Sequence, residues 1–178
     1  MKTPVIETER LILREIHQTD VEDIYNCWMQ DEDVSRYMWW KASNDISEAK
    51  DFVKYELEQI ENDKWNRWII VLKETGNIIG TCLVFYNDED KDSHWDISYN
   101  LGKAYWGKGY IIEAMKSVIQ FAEKELGMKE CVTTYAKLNK ASAKVLHKLG
   151  FADESEIDYE CSGGDIITDG MMCRYLSK

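Results

Sequence analysis

Tyr105-Trp106-Gly107-Lys108-Gly109-Tyr110 runs directly into apolar residues at helical spacing: Ile111, Ala114, Met115, Val118, Ile119 and Ala122. Two glycines beside a helix start let backbone N–H groups turn toward one point. The helix dipole adds partial positive charge there, so the place suits a phosphate or pyrophosphate. Lys103 and Lys108 flank it. A P-loop would need Gly-x-x-x-x-Gly-Lys-Ser/Thr, which occurs nowhere, and Ile112 stands where the third glycine of a dinucleotide fingerprint belongs. Upstream, Trp95-Asp96-Ile97-Ser98-Tyr99-Asn100-Leu101 alternates apolar and polar residues, the pattern of a strand. The order is strand, glycine loop, long amphipathic helix.

The 178 residues suit a single domain over 1–178, large enough for a substantial core. Hydrophobic residues make up 44%, with seven Trp and ten Tyr, which argues against disorder. No apolar run reaches the roughly 20 residues a membrane helix needs, and no signal-peptide core opens the chain, so a cytoplasmic protein is expected. Cys27, Cys82, Cys131, Cys161 and Cys173 are scattered singly, as are His17, His94 and His147. That spacing suggests reduced thiols, with neither a disulfide framework nor a metal site. The net charge of −11 argues against nucleic acid as the main partner. Yet Lys103 to Lys148 holds nine lysines against four glutamates, a local +5. A basic island in an acidic chain suggests an anionic ligand on one side and a cationic one on the other, though an ordinary solvated helix surface gives the same pattern.

Around the decisive stretch, Thr8 to Arg14 reads as a first strand and Asp20 opens a short helix. Asp45 and Glu48, at capping-box spacing, open a second helix presenting Ala49, Phe52, Val53, Leu57 and Ile60. Strands at 68–72 and 78–86 flank the turn Glu74-Thr75-Gly76-Asn77, and the strand at 94–101 follows a polar turn. The long helix stops at Gly127. A strand at 131–137, a helix at 141–149 closed by Gly150, and strands at 151–159 and 166–176 complete the chain. The expectation is an α+β domain with seven strands and four helices.

With these elements in order, the chain resembles the GNAT-family N-acetyltransferases, in the branch of the RimJ/RimL ribosomal-protein N-terminal acetyltransferases. The resemblance covers nearly the full length. It is carried by Thr8-Glu9-Arg10-Leu11-Ile12-Leu13-Arg14, Gly76-Asn77-Ile78-Ile79-Gly80, the glycine loop with Glu113-Ala114, Asn139-Lys140-Ala141-Ser142, and Lys148-Leu149-Gly150-Phe151. It implies the GNAT (acyl-CoA N-acyltransferase) fold: a mixed, mostly antiparallel sheet with a splay between the strands at 94–101 and 131–137. It also implies acetyl-CoA as cofactor. Trp106, Gly107, Lys108, Gly109 and Tyr110 would hold its pyrophosphate, mainly through N–H groups. Backbone of Ile97, Tyr99 and Leu101 would meet the pantetheine and thioester, and Asn139 would touch the arm from across the splay. Where the family often has Arg or Gln three residues before the first glycine, this chain has Ala104, so main-chain donors would carry the site.

Acetyl transfer to an amine needs a proton acceptor, a donor for the oxyanion, and a proton for the departing thiolate. Asp96 is the first candidate base, in a strand position where family members often carry Glu; a water chain is the alternative. A backbone N–H near Ile97 to Tyr99 would steady the oxyanion. Ser142 would either serve the sulfur or cap its helix. Tyr99 and Tyr135 are weaker candidates for the acid, and Glu113 in a first helical turn suits the dipole. For the acceptor, Tyr37, Trp39 and Trp40 would grip a peptide or shield an ammonium by cation–π contact, or else pack as core. Asp31, Glu32 and Asp33 would attract a cation or simply be solvated.

The resemblance thus implies an acetyl-CoA-dependent N-acetyltransferase acting on a protein N-terminal α-amine. A small-molecule amine (a polyamine or aminoglycoside) is the alternative acceptor, and a non-catalytic acyl-CoA-binding module is the alternative of another class. Edge strands near the C-terminus leave room for a homodimer.

Overall fold

Near-continuous apolar runs at 68–72 and 78–84 suit a sheet covered on both faces, and a computed structural model shows one. It describes residues 3–88 and 93–177; the polar turn read before residue 94 lies partly outside these. Eight strands take the order β1-β2-β3-β4-β5-β6-β8-β7, with β1 Ile6–Glu7, β2 Leu11–Arg14, β3 Trp65–Leu72 and β4 Ile78–Asn87. Next come β5 His94–Leu101, β6 Glu130–Ala136, β7 Ala152–Cys161 and β8 Ile166–Leu176. The helices are α1 Val21–Ile24, α2 Glu32–Ser35, α3 Ile46–Glu58, α4 Tyr110–Glu125 and α5 Lys140–Leu149.

The fold class is as the sequence implies, with one more strand and one more helix. The stretch read as one strand over 8–14 splits. Thr8 N–H bonds the Leu11 carbonyl and Thr8 Oγ1 accepts from Leu11 N–H, so Thr8-Glu9-Arg10 turns and Ile6–Glu7 folds back as β1. The extra helix is α2, where the acids at 31–33 read as loop. Asp31 caps it by accepting from Asp33 N–H at 2.9 Å. Asp45 caps α3 through Ser47 N–H, leaving Glu48 free of a box role.

Every pairing is antiparallel except β5 with β6, which are parallel and paired only at Trp95 and Cys131. Beyond that point the two strands diverge, which is the splay. Pairing also fixes the faces, since residues directly opposite share one. Trp65, Phe85 and Asp96 line one face, together with Arg67, Leu83 and Ser98, next to the α1–α3 layer. Trp68, Cys82 and Tyr99, with Val84 and Ile97, line the other, under α4 and α5.

Two close approaches explain glycines in this frame. A Cβ on Gly80 would lie 2.2 Å from the Asn100 carbonyl on β5. One on Gly102 would lie 2.7 Å from the Cys27 carbonyl, in the π-helical turn Tyr25–Met29 that extends α1.

Candidate functional site

The glycine loop sits where β5 ends and α4 begins. Gly107 (φ 75°) and Gly109 (φ 81°) are both left-handed, a conformation that costs an L side chain about 1–2 kcal/mol. A Cβ on Gly107 would meet nothing within 4 Å, so the loop faces open space of the kind a ligand can fill. Gly109 is the N-cap of α4, so the N–H groups of the first turn have no partner inside the helix. Trp106 is pinned by its indole N–H to the Leu101 carbonyl at 2.8 Å. Lys108 Nζ lies over the Tyr105 ring, and Lys103 is ion-paired to Asp33 of α2, so its charge ties two segments together.

The splay opens beside this loop. Ile97 turns both main-chain groups toward β6: its N–H donates to Asp96 Oδ1 at 2.6 Å and its carbonyl lies 3.2 Å from Thr133 Oγ1. Leu101 turns its carbonyl toward Trp106. Strand periodicity points the N–H and C=O of Tyr99, midway between them, into the gap. Of the three residues expected to meet the thioester arm, Tyr99 therefore keeps its main chain available, while Ile97 and the Leu101 carbonyl are engaged.

Asp96 lies on the α1–α3 face of β5, at the mouth of the splay. Burial pushes its pKa up to about 6, against the opposing pull of Thr133, the Ile97 N–H and His94. A carboxyl tuned to that range is ionised at neutral pH yet still basic enough to take a proton. On the other face, Tyr99 reaches across to α5, its hydroxyl 3.0 Å from Ser142 Oγ. The helix cap here is Asn139, whose Oδ1 accepts from Ser142 N–H at 3.1 Å. Ser142 is the recipient of the cap and not its source, so its hydroxyl is left to pair with Tyr99 at the cleft. Tyr135, by contrast, donates to Asp153 at 3.0 Å.

Asp96, Tyr99, Trp106, Gly107, Asn139 and Ser142 line one cleft of about 1080 Å³ that continues along the α1–α3 face, whereas Lys108, Gly109 and Tyr110 lie outside its lining. Tyr37, Trp39 and Trp40 line it, but unequally. Trp39 is 76% exposed, whereas Trp40 packs partly against the cluster of Ile24, Trp28 and Val53. The Tyr37 and Met38 carbonyls accept from the Tyr159 hydroxyl (2.8 Å) and Ser162 N–H (2.6 Å), which ties this loop to the β7–β8 turn. Several lining residues escaped the sequence reading. Glu48, Asp51, Phe52 and Tyr55 form a stripe along α3 at helical spacing, and Tyr159 and Glu160 arrive from β7. Beneath them Glu56 joins Arg67 (2.7 Å) and the Trp65 indole (2.8 Å). Asn100 Nδ2 is buried in the cleft wall with no protein acceptor.

Among the described residues no group of three or more His, Cys, Asp or Glu could hold a metal, and all five cysteines are free. Nor, among the described residues, is any helix long and apolar enough to cross a membrane.

The acetyltransferase (GNAT) domain family matches residues 10–152. An uncharacterized N-acetyltransferase, p20, of Bacillus licheniformis is 32% identical over 161 residues, 90% of this chain and 89% of that protein. A putative ribosomal-protein-serine acetyltransferase from Vibrio cholerae superposes with a TM-score of 0.83 at 18% identity, covering 99% and 100% of the two chains. The microcin C7 self-immunity acetyltransferase MccE, solved with acetyl-CoA and AMP, superposes with a TM-score of 0.83 at 22% identity, covering 96% and 94%.

Proposed function

The chain belongs to the acetyltransferase (GNAT) family, and from that premise we propose that this N-acetyltransferase moves acetyl from acetyl-CoA to the α-amine of a protein N-terminus. Acetyl-CoA supplies an acetyl group activated as a thioester, on an arm thin enough for the splay. The open cradle at Gly107, the first-turn amides of α4 and the Tyr99 main chain suit its pyrophosphate and arm.

The carrying observation is that Asp96 and the Tyr99–Ser142 pair occupy opposite faces of one strand, joined through the gap between β5 and β6. Asp96 takes the proton from the ammonium on the acceptor face. The Tyr99 N–H holds the oxyanion; as the C–S bond breaks, the surplus proton still on the attacking nitrogen passes to the departing sulfur, to which the Ser142 hydroxyl, oriented by the Tyr99 hydroxyl 3.0 Å away, donates a hydrogen bond. Burial raises the Tyr99 pKa, so the phenol stays protonated.

A peptide acceptor suits a cleft with aromatic walls, and the Vibrio cholerae neighbour is a putative ribosomal-protein-serine acetyltransferase. The stripe of Glu48 and Asp51 beside Phe52 and Tyr55 favours a second reading, a small polycationic amine. Setting protein and acetyl-CoA against N-terminal peptides beginning Ala, Ser or Met, spermidine and an aminoglycoside, with products read by mass, decides between them. A peptide modified fastest supports the first reading and a preferred small amine the second. Binding without product points to an acyl-CoA-sensing module.

The same proposal places the enzyme in the cytoplasm, with its thiols reduced. A homodimer joined through the β7 edge would set Asp153, Glu154, Glu156, Asp158 and Glu160 against their own copies, so any dimer is expected to use another face.

A further inference from the structure

The turn Thr8-Glu9-Arg10 has no part in the chemistry above, yet it meets the glycine loop through one carboxylate. Glu113 Oε1 accepts from the Thr8 hydroxyl at 2.6 Å and from Arg10 N–H at 2.8 Å, and Oε2 accepts from Arg10 Nε at 2.7 Å. The guanidinium then touches three consecutive loop residues. It donates to the Lys108 carbonyl at 3.0 Å, comes within 3.6 Å of where a Gly109 Cβ would be, and lies 4.5 Å over the Tyr110 ring.

The Lys108 carbonyl and the Gly109 N–H belong to one planar trans peptide unit, so they point in opposite directions. A bond that pins the carbonyl toward Arg10 therefore aims the Gly109 N–H the other way. A loop with two glycines has the most backbone freedom to lose on binding. Fixing its peptide planes beforehand removes that cost from ligand binding. Glu113 would by itself repel an anion near the start of α4. The Arg10 charge offsets it, and the three donors hold the Glu113 carboxyl below its usual range in spite of the burial that would raise it.

We propose that Thr8, Arg10 and Glu113 are positioning residues that hold the glycine loop in its pyrophosphate-binding shape, which makes the N-terminal turn part of the donor site. The proposal rests on reading the loop as the pyrophosphate site. Its turn is anchored by Leu11, fully buried in the core, so the loop is braced against the sheet and not only against α4.

The test compares two donors, acetyl-CoA and acetyl-pantetheine, which lacks the pyrophosphate and adenosine. In Glu113→Ala and Arg10→Ala the KM for acetyl-CoA rises about tenfold while kcat stays within about twofold and the KM for acetyl-pantetheine is unchanged. Arg10→Lys keeps the charge but loses the planar fork, so it behaves like Arg10→Ala. Thr8→Ala removes the hydroxyl that donates to Glu113 and accepts from Leu11 N–H but leaves both Arg10 bonds to Glu113, so it gives a smaller rise in the same parameter, a readout that holds if Glu113→Ala folds poorly. An unchanged KM for acetyl-CoA, or equal rises for both donors, overturns the proposal. A wild-type enzyme that does not distinguish the donors overturns the pyrophosphate reading, and the proposal with it. Discrimination undiminished in Glu113→Ala overturns the proposal alone.

Discussion

The half of the cleft at the glycine loop, proposed for the donor, and the half at α3, proposed for the acceptor, are built by different means. Around Gly107 and Gly109 the contacts are main-chain amides at a helix start, shaped by positive φ and braced by Arg10 and Glu113. Across the sheet, Trp39, Phe52, Tyr55, Trp65 and Tyr159 come from four separate segments and present side chains. A backbone site needs a conformation, and many sequences can supply one around a few fixed glycines. A side-chain site changes its ligand whenever one residue changes. The fold therefore fixes the donor, and the acceptor is left to local composition.

Asp96 joins the halves, so changing it gives the largest effect. Asp96→Asn is expected to lower kcat by about 100-fold, in the range of a lost general base, with the KM for acetyl-CoA unchanged. Equal losses in both parameters would blur the division between donor and acceptor. The same variant should be more stable at neutral pH. A carboxyl whose pKa rises to about 6 on folding stabilises the fold at pH below its unfolded value near 4 and loses that contribution as pH climbs through 6. Asparagine carries no such cost at pH 7, a gain on the order of 2 kcal/mol measurable as a higher Tm. In the wild type, kcat/KM should fall about tenfold per unit below pH 6 and be flat from there to about pH 8, where an α-ammonium itself titrates.

Gly109→Val tests the main-chain half, because a β-branched residue is an outlier at φ 81°. The KM for acetyl-CoA should rise on the order of tenfold with little change toward the amine. Ser142→Ala should lower kcat about tenfold while leaving both KM values, because Asn139 and not Ser142 makes the helix cap. The smallest effect belongs to Trp39→Ala: a rise of roughly threefold in the amine KM from the lost ring, with acetyl-CoA untouched. A change in the acetyl-CoA KM there would show that the two halves share walls.

The same contrast explains what could be read in the sequence. Gly107-Lys108-Gly109 and the helix after it are contiguous, and glycine is the residue such a turn requires, so the loop and its helix were legible. Asp96 was singled out by its place in a strand that resembles the family's, and the register with Phe85 then assigns its face. Thr133, Tyr159 and the α3 stripe carry no local mark. They reach the cleft through the register of strands far apart in sequence, and Glu48 looked like half of a capping box. The Thr8–Arg10 turn was hidden for a related reason. Its residues alternate well enough for a strand, and only the hydrogen bonds to Leu11 and Glu113 turn the chain there.

The most direct measurement is a titration of the isotope-labelled protein with CoA, following backbone amide resonances. The account predicts that Gly107, Lys108, Gly109, Tyr110 and Tyr99 move most, and Trp39, Phe52 and Tyr55 little. Large shifts along α3 with the glycine loop unmoved would contradict it.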